Sequence, residues 1–356
     1  MKIIPRYFPE ISISTFIKAI YFNKYMENDS IILLNSARSS IKFILTNIKS
    51  YYNKTFIVGY PCYSCFSITQ SVIESENIPS PLDIHPFNFK LTNDIKIKIK
   101  EIDILIWINF FGFKYNDLLT EIRNKFPNLI IIEDCSHVDF RDYMLNPSII
   151  SQFSIFSFNF HKPIFVMGGS AILLNGESEI NKILINKKNE LPNEKVNISF
   201  FKKILISNVA YNKFLYSIII NITNKKRLRS FNPNFKSIEI KRMSNLQKKI
   251  LNAQLQNYKI NYFLKEATKN YCNLLGLDYE YQTFGSVFYF PLKNNYLITK
   301  NVDKFILWEN LIKNYEYFKI KINRNSFPFT FKFLDEFVFY PAICFYKKML
   351  STKQEI

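Results

Sequence analysis

A chain of 356 residues that is 48% hydrophobic can bury a large core and is long enough for two domains, so a disordered chain is excluded. A formal net charge of +18 suits an anionic partner: nucleic acid, an acidic membrane surface or a phosphorylated small molecule. No zinc-finger spacing, RNA-binding aromatic signature or basic heptad pattern accompanies that charge, which speaks against nucleic acid.

Taken in chain order, Met1–Ser14 is interrupted by Pro5, Arg6 and Glu10 and does not read as a signal peptide. The apolar run Ile31–Leu34 leads into Asn35-Ser36-Ala37-Arg38-Ser39-Ser40 and a helix to about Lys49, with Ile41, Ile44, Leu45 and Ile48 at helical spacing. Small polar residues and an arginine at a helix start suit a phosphate, although an ordinary Ser/Asn cap has the same composition. Thr55–Tyr60 reads as a strand ending at Pro61, followed by a helix through about Glu76, a strand over Pro79–Ile84 and a turn at Asp83-Ile84-His85-Pro86. Ile104–Phe110 is a nearly all-apolar strand closed by Gly112; a helix over Tyr115–Lys125 and a strand over Asn128–Ile132 follow. Strands alternating with helices at this spacing predict an α/β fold whose mostly parallel central sheet has helices on both faces. In such sheets functional groups gather at the carboxyl ends of the strands.

At one such end stands Glu133-Asp134-Cys135-Ser136-His137. An acid just past a buried strand is either a helix cap or a carboxylate held ionised to pair with a cation. Phe153–Phe158 is a second buried strand, and after it Lys162 and the Gly168-Gly169 pair precede the strand Ser170–Leu174. A lysine between two buried strands is a place for a desolvated amine, whose lowered pKa frees the lone pair for attack on a carbonyl. A surface lysine on a turn is the ordinary alternative.

Helix is expected after Asn175 through Lys188, and a long helix over Arg242–Lys265. Ile204–Ile222 contains Asn208, Asn212, Lys213 and Asn221, which suits a buried or interfacial helix better than a membrane span. A basic cluster, Lys225–Arg229, follows. Ser286–Leu292, Phe318–Ile322 and Phe337–Phe339 read as strands of a smaller C-terminal α+β domain, so the expected division is 1–240 and 241–356, with a variable segment at about 200–236. Five cysteines form no disulfide framework, which suits a reducing compartment and a cytoplasmic protein. Cys62-x-x-Cys65 lacks a second pair and redox-type flanks, and no metal site is expected.

With these pieces in order, the chain resembles the DegT-type (DegT/DnrJ/StrS) sugar aminotransferases, which are pyridoxal-phosphate enzymes of fold type I. Ser36-Ala37-Arg38-Ser39-Ser40 resembles the family's phosphate loop, and Gly59-Tyr60-Pro61-Cys62-Tyr63-Ser64 its strand-to-proline motif. Asp83-Ile84-His85-Pro86 is similar to the family's Asp-Ile-Asp-Pro turn, and Asn109-Phe110-Phe111-Gly112 to the strand end before a glycine. Ile132–His137 is similar to its Glu-Asp-x-x-Gln/His, Phe156-Ser157-Phe158 with Lys162 to its lysine segment, and Arg242–Gln247 to its Arg-Met-Ser-Glu-Leu-Gln helix start. The resemblance covers roughly residues 30–270.

It implies pyridoxal 5′-phosphate as cofactor, with Lys162 forming the covalent imine link and then carrying a proton to the substrate carbon. Asp134 would pair with the pyridine nitrogen, His137 would sit beside the ring, and Ala37, Arg38, Ser39 and Ser157 would hold the phosphate. Cys65 falls where the family carries a ring-stacking aromatic residue, and Ile240 where an asparagine reaches the partner subunit's phosphate. The implied activity is amination of a keto sugar, carried as a nucleotide sugar, with glutamate as donor and a homodimer as the assembly, in surface polysaccharide or related glycan biosynthesis. Two alternatives stand beside it. One is a sugar dehydratase with histidine in the lysine's place, for which His161 adjoins Lys162. The other is a non-catalytic family member that binds a partner or a membrane surface through residues 200–236.

Overall fold

The computed structural model describes residues 30–87, 90–145, 147–159, 162–196, 236–256, 258–275, 283, 290–293 and 315–340. Strands form where short apolar, β-branched runs end at a turn: β1 (Ile31–Leu34), β2 (Ile57–Pro61), β3 (Ile78–Leu82), β4 (Ile104–Ile108), β5 (Ile130–Asp134), β6 (Phe153–Ser157) and β7 (Ser170–Leu174). They make one seven-stranded sheet in the order β1-β7-β6-β5-β4-β2-β3. From β3 to β6 every neighbour is parallel; β7 runs antiparallel to both β6 and β1. The central strands β4 and β6 are buried along their whole length, as expected when both faces are covered. The outermost strand β3 carries Pro79 and Pro81, residues a sheet tolerates only at an edge.

Side-chain alternation sends each strand's residues into two cores. Ile32, Leu34, Ile172 and Leu174 pack with Ile41, Ile44 and Ile48 of helix α1 (Ala37–Tyr52). Ile31, Leu33, Ala171 and Leu173 pack on the opposite face with Ile250 and Leu251 of a later helix. Between the strands lie α2 (Phe66–Glu74), α3 (Asn93–Ile99), α4 (Asn116–Lys125), α5 (Phe140–Leu145) and α6 (Glu179–Glu190). The short helices α3 and α5 carry no distinct sequence signal. Helix α2 stops two residues before the expected end: Glu76 takes a left-handed conformation (φ 56), with Asn77 N–H on Val72 C=O and Glu76 N–H on Ile73 C=O. That pair of bonds is a Schellman cap.

The C-terminal half departs further from expectation. The single long helix is two, α7 (Asn245–Leu255) and α8 (Tyr258–Leu275). No proline or glycine marks the break. The end of α7 is held from outside, by Arg141 Nη1 donating to the Gln254 carbonyl, while Asp139 pairs with the same guanidinium. The strand expected over Phe318–Ile322 does not form. There Lys319 is left-handed (φ 58), and Ile320 N–H on Tyr315 C=O with Lys319 N–H on Glu316 C=O closes a helical turn at 315–317. A helix, α9 (Pro328–Glu336), then precedes β9 (Phe337–Tyr340), which pairs antiparallel with β8 (Phe290–Lys293) in a separate sheet. Ile204–Ile222, Lys225–Arg229 and His161 lie outside the described residues. Among the described residues no helix is long and apolar enough to cross a membrane.

Candidate active site

The carboxyl ends of β5 and β6 and the loop after β6 bring the expected site residues together. Glu133 and Asp134 are consecutive on β5, so alternation turns them to opposite faces. Asp134 is 8% exposed; its Oδ1 accepts the Ser136 N–H at 2.9 Å, and Oδ2 accepts nothing from the described residues. Lys162 lies on the loop that leaves β6. Val166 N–H and Gly168 N–H both donate to the Phe158 carbonyl, and Phe158 N–H donates to Gly169 C=O, so the loop closes on Phe158. Lys162 is half-buried, and that burial pulls its ammonium below the ordinary lysine range, while the neighbouring Asp134 and Cys65 pull it back up. A larger share of this amine is therefore neutral at neutral pH than on a surface lysine.

Gly169 is what lets that loop return to the sheet. Its φ is 93°, and a Cβ there would stand 2.6 Å from the buried Met243 Cε. Met243 can shift its terminal methyl, so the backbone strain is the larger cost. Gly169→Ala is expected to destabilise the protein by about 1–3 kcal/mol. Thermal unfolding monitored by circular dichroism would read this as a lower Tm, and an unchanged Tm would count against the strain.

His137 is buried, and the Phe111 N–H donates to its Nδ1 at 3.1 Å. Burial first, then the charge on Lys162, holds its pKa well below the usual histidine value. The ring is thus neutral, and since Nδ1 accepts, its proton sits on Nε2. The Phe111 and His137 rings are nearly parallel, 10° apart with centroids at 5.9 Å. Phe111 itself is left-handed (φ 60, ψ 1), a conformation that costs a bulky residue about 1–3 kcal/mol. Sequence reasoning singles out the Asn109–Gly112 motif but not Phe111, because no composition signal marks a left-handed phenylalanine.

The start of α1 is the second part of the site. Ser36 caps the helix by accepting the Ser39 N–H, while Ser39 Oγ accepts the Ser36 N–H and donates to Asn35 Oδ1 at 2.7 Å. The Ser39 hydroxyl is therefore spent on the cap. Neither the Ala37 nor the Arg38 N–H has an acceptor among the described residues, so these two amides remain for an anion. The Arg38 guanidinium lies 5.4 Å over the Phe66 ring and borders a cavity of about 580 Å³ with Ser36, Lys236 and Ser237. Gly169 N–H donates to Asn35 C=O, which ties this helix start to the lysine loop. Ser157, at the end of β6, is 8% exposed, and its hydroxyl has no hydrogen bond to the described residues.

Cys65 is the half-buried N-cap of α2 and makes no capping bond; Ser67 Oγ donates to its Sγ at 3.1 Å. Cys62 is buried away from it, its thiol pushed up to about 12 mainly by burial. Both thiols are free, with Cys62 buried and Cys65 half-buried. Among the described residues no cluster of side chains could hold a metal ion.

On the other face of β5, Glu133 is fully buried. Asn109 Nδ2 donates to its Oε2 at 2.8 Å and the Ser148 and Ser151 hydroxyls lie near the carboxyl, while Glu133 Oε1 and Asn109 Oδ1 have no hydrogen-bond partner among the described residues. Burial raises the Glu133 pKa, and a proton on Oε1 would turn an orphan acceptor into a donor. The unfolded chain loses this proton near 4.5 and the folded one only at higher pH. The contribution is thus full below about 4.5 and declines as pH rises to the folded value, by at most about 1.4 kcal/mol per pH unit. Glu133→Gln, which cannot ionise, is expected to remove that part of the decline. Denaturant midpoints at pH 5 and pH 8 check this; an equal fall in both proteins would place a carboxylate, not an acid, at 133.

No protein-family model and no curated protein matches the sequence. Solved structures do match. Spr1654 from Streptococcus pneumoniae in its PMP form, a candidate sugar aminotransferase, superposes with a TM-score of 0.65 at 11% identity, covering 99% of both chains. Helicobacter pylori PseC, an aminotransferase of pseudoaminic acid biosynthesis, gives 0.62 at 13% identity over 100% of this chain and 99% of that one. A DegT/DnrJ/EryC1/StrS aminotransferase from Brucella abortus gives 0.60 at 13% identity, over 92% of this chain and 89% of that one. At such identities the likeness establishes the fold, a mostly parallel sheet covered by helices as in these aminotransferases.

Proposed function

We propose that the protein is a pyridoxal-phosphate-dependent aminotransferase that aminates a keto sugar. The observation that carries this reading is the position of Lys162: a desolvated amine in the field of Asp134, beside His137 and Cys65, at the carboxyl ends of β5 and β6. The residues fit the cofactor. Asp134 offers for the pyridine nitrogen a carboxylate oxygen that accepts nothing from the described residues. The Ala37 and Arg38 amides at the positive end of α1, which have no acceptor among the described residues, and the Ser157 hydroxyl suit a phosphate.

When bound, the cofactor supplies an aldehyde carbon and a ring that accepts electrons. Lys162 Nζ would hold the cofactor and, once freed by an amino donor, would serve as the base and acid that moves a proton between the substrate carbon and the cofactor carbon. Asp134 would pair with the ring nitrogen and favour a proton there. Neutral His137 offers an Nε2–H donor without adding a positive charge beside Lys162. Cys65 is smaller than an aromatic ring and holds one side of the site with a thiol and its Ser67 partner.

The finer features are part of the same proposal. The net charge of +18 favours a diphosphate-linked sugar, glutamate is the donor, and the working unit is a homodimer of cytoplasmic subunits with a cofactor domain over 1–240 and a smaller domain over 241–356. The test is direct. Protein loaded with pyridoxal phosphate is expected to show visible absorbance that borohydride removes, and to convert to the pyridoxamine form with glutamate. Transfer of the amino group to a nucleotide-linked keto sugar would complete the assignment. Protein that folds but never acquires the visible band defeats it.

A further inference from the structure

The C-terminal helix α9 reaches into the site. Asp83, at the turn after β3, accepts the N–H groups of Phe329 and Thr330 at 2.9 and 2.8 Å and the Thr330 hydroxyl at 2.8 Å. A carboxylate at the amino end of a helix both satisfies orphan amides and complements the helix dipole. One turn further along, Phe333 is buried, 1% exposed. Its ring stacks on Phe111 with centroids 6.1 Å apart and planes at 16°, and it meets His85 and Tyr63 edge-on at 5.3 and 4.7 Å. Phe111 in turn stacks on His137 and gives it a backbone N–H. Three rings, Phe333, Phe111 and His137, thus form one column from α9 to the imidazole beside Lys162.

We propose that Phe333 is a positioning residue of this site: packed on Phe111, it holds the Phe111 N–H against His137 Nδ1 and so fixes the imidazole as its Nε2–H tautomer. Phe111 has a left-handed backbone that a phenylalanine leaves readily when nothing confines it. Phe87 and Phe110 pack on the Phe111 ring at tilted angles, and Phe333 adds a stacked ring from a segment more than 200 residues away in sequence. Without the ring, Phe111 can relax, its N–H turns from Nδ1, and the imidazole is released to exchange tautomers and rotate. The effect on the histidine rests on this geometry alone; its effect on turnover rests on the aminotransferase reading above.

The experiment uses the full chain labelled with ¹⁵N-histidine. The sequence has three histidines, and His137→Gln identifies the resonances. The unsubstituted protein is expected to show His137 as a single Nε2–H tautomer. Phe333→Leu, which removes the ring and keeps an apolar side chain, is expected to lose it to a mixture, and Phe333→Tyr to retain it. In cofactor-loaded protein the Leu variant should keep its visible absorbance while kcat falls roughly ten- to hundredfold, the scale of a misplaced catalytic group. A Phe333→Leu protein with native circular dichroism and an unchanged single tautomer overturns the proposal. Should Phe333→Leu not fold, Asp83→Asn, which weakens the anchor of α9, decides in the same way. Absence of the visible band in the unsubstituted protein would defeat the aminotransferase reading and leave the tautomer result to judge Phe333.

Discussion

Lys162→Ala is expected to abolish the visible absorbance of cofactor-loaded protein and to cut amino transfer by on the order of 10⁵–10⁶-fold, the scale on which removal of an essential covalent group acts. The fold should survive. Burial opposes the charged form of this amine, so replacing it with a methyl group removes a desolvation cost along with its attraction to Asp134, and the two changes offset. The sign can be checked against pH. Because the folded-state pKa lies below 10.5, the native chain binds fewer protons than the unfolded one between the two values, and stability rises with pH across that window. The Ala variant should lack this rise. Borohydride trapping followed by peptide mapping checks the assignment independently, and label on any other lysine would falsify it.

Asp134→Asn is the second large effect. An asparagine can still accept the Ser136 N–H through its Oδ1, so the local turn and the Tm should be little changed. It brings no charge, so on the aminotransferase reading proposed above the cofactor's ring nitrogen would lose the partner expected to keep it protonated. Turnover is expected to fall by about 3–4 kcal/mol of barrier, the scale of a removed electrostatic contact aimed at a developing charge. Steady-state rates measured alongside cofactor titration separate lost catalysis from lost binding. Turnover within a few-fold of the unsubstituted protein would reduce Asp134 to a structural acceptor for the Ser136 N–H.

Much of the fold is legible in the chain itself, for a definite reason. Ile31–Leu34, Ile104–Ile108 and Phe153–Ser157 are short apolar runs between turn residues, and burial on both sheet faces leaves them little choice of conformation. The Ser36 cap of α1 and the Ser244-to-Gln247 cap of α7 are local patterns closed by local bonds. Local rules stop working where the partner is distant. The break between α7 and α8 carries no proline or glycine, and the carbonyl of Gln254 near it accepts from the distant Arg141. Helix α9 lies in a stretch, Pro328–Glu336, that is anchored by Asp83 some 246 residues earlier.

The candidate site divides in the same way. Which residue types stand at the strand ends, Asp134, His137, Ser157 and Lys162, is a property of the chain alone, because the periodicity that buries a strand also places the residues that follow it. Whether Lys162 is an ordinary surface amine or a desolvated one is decided only when the loop closes on Phe158 and brings it to Asp134, Cys65 and His137. The Ser39 hydroxyl is likewise directed only in three dimensions, where it turns to the cap, and the Ala37 and Arg38 amides have no acceptor among the described residues. The left-handed Phe111, its bond to His137 and the Phe333 ring that confines it come from three separate stretches of chain. Contacts between such stretches carry no periodicity along the sequence, so only tertiary packing decides them.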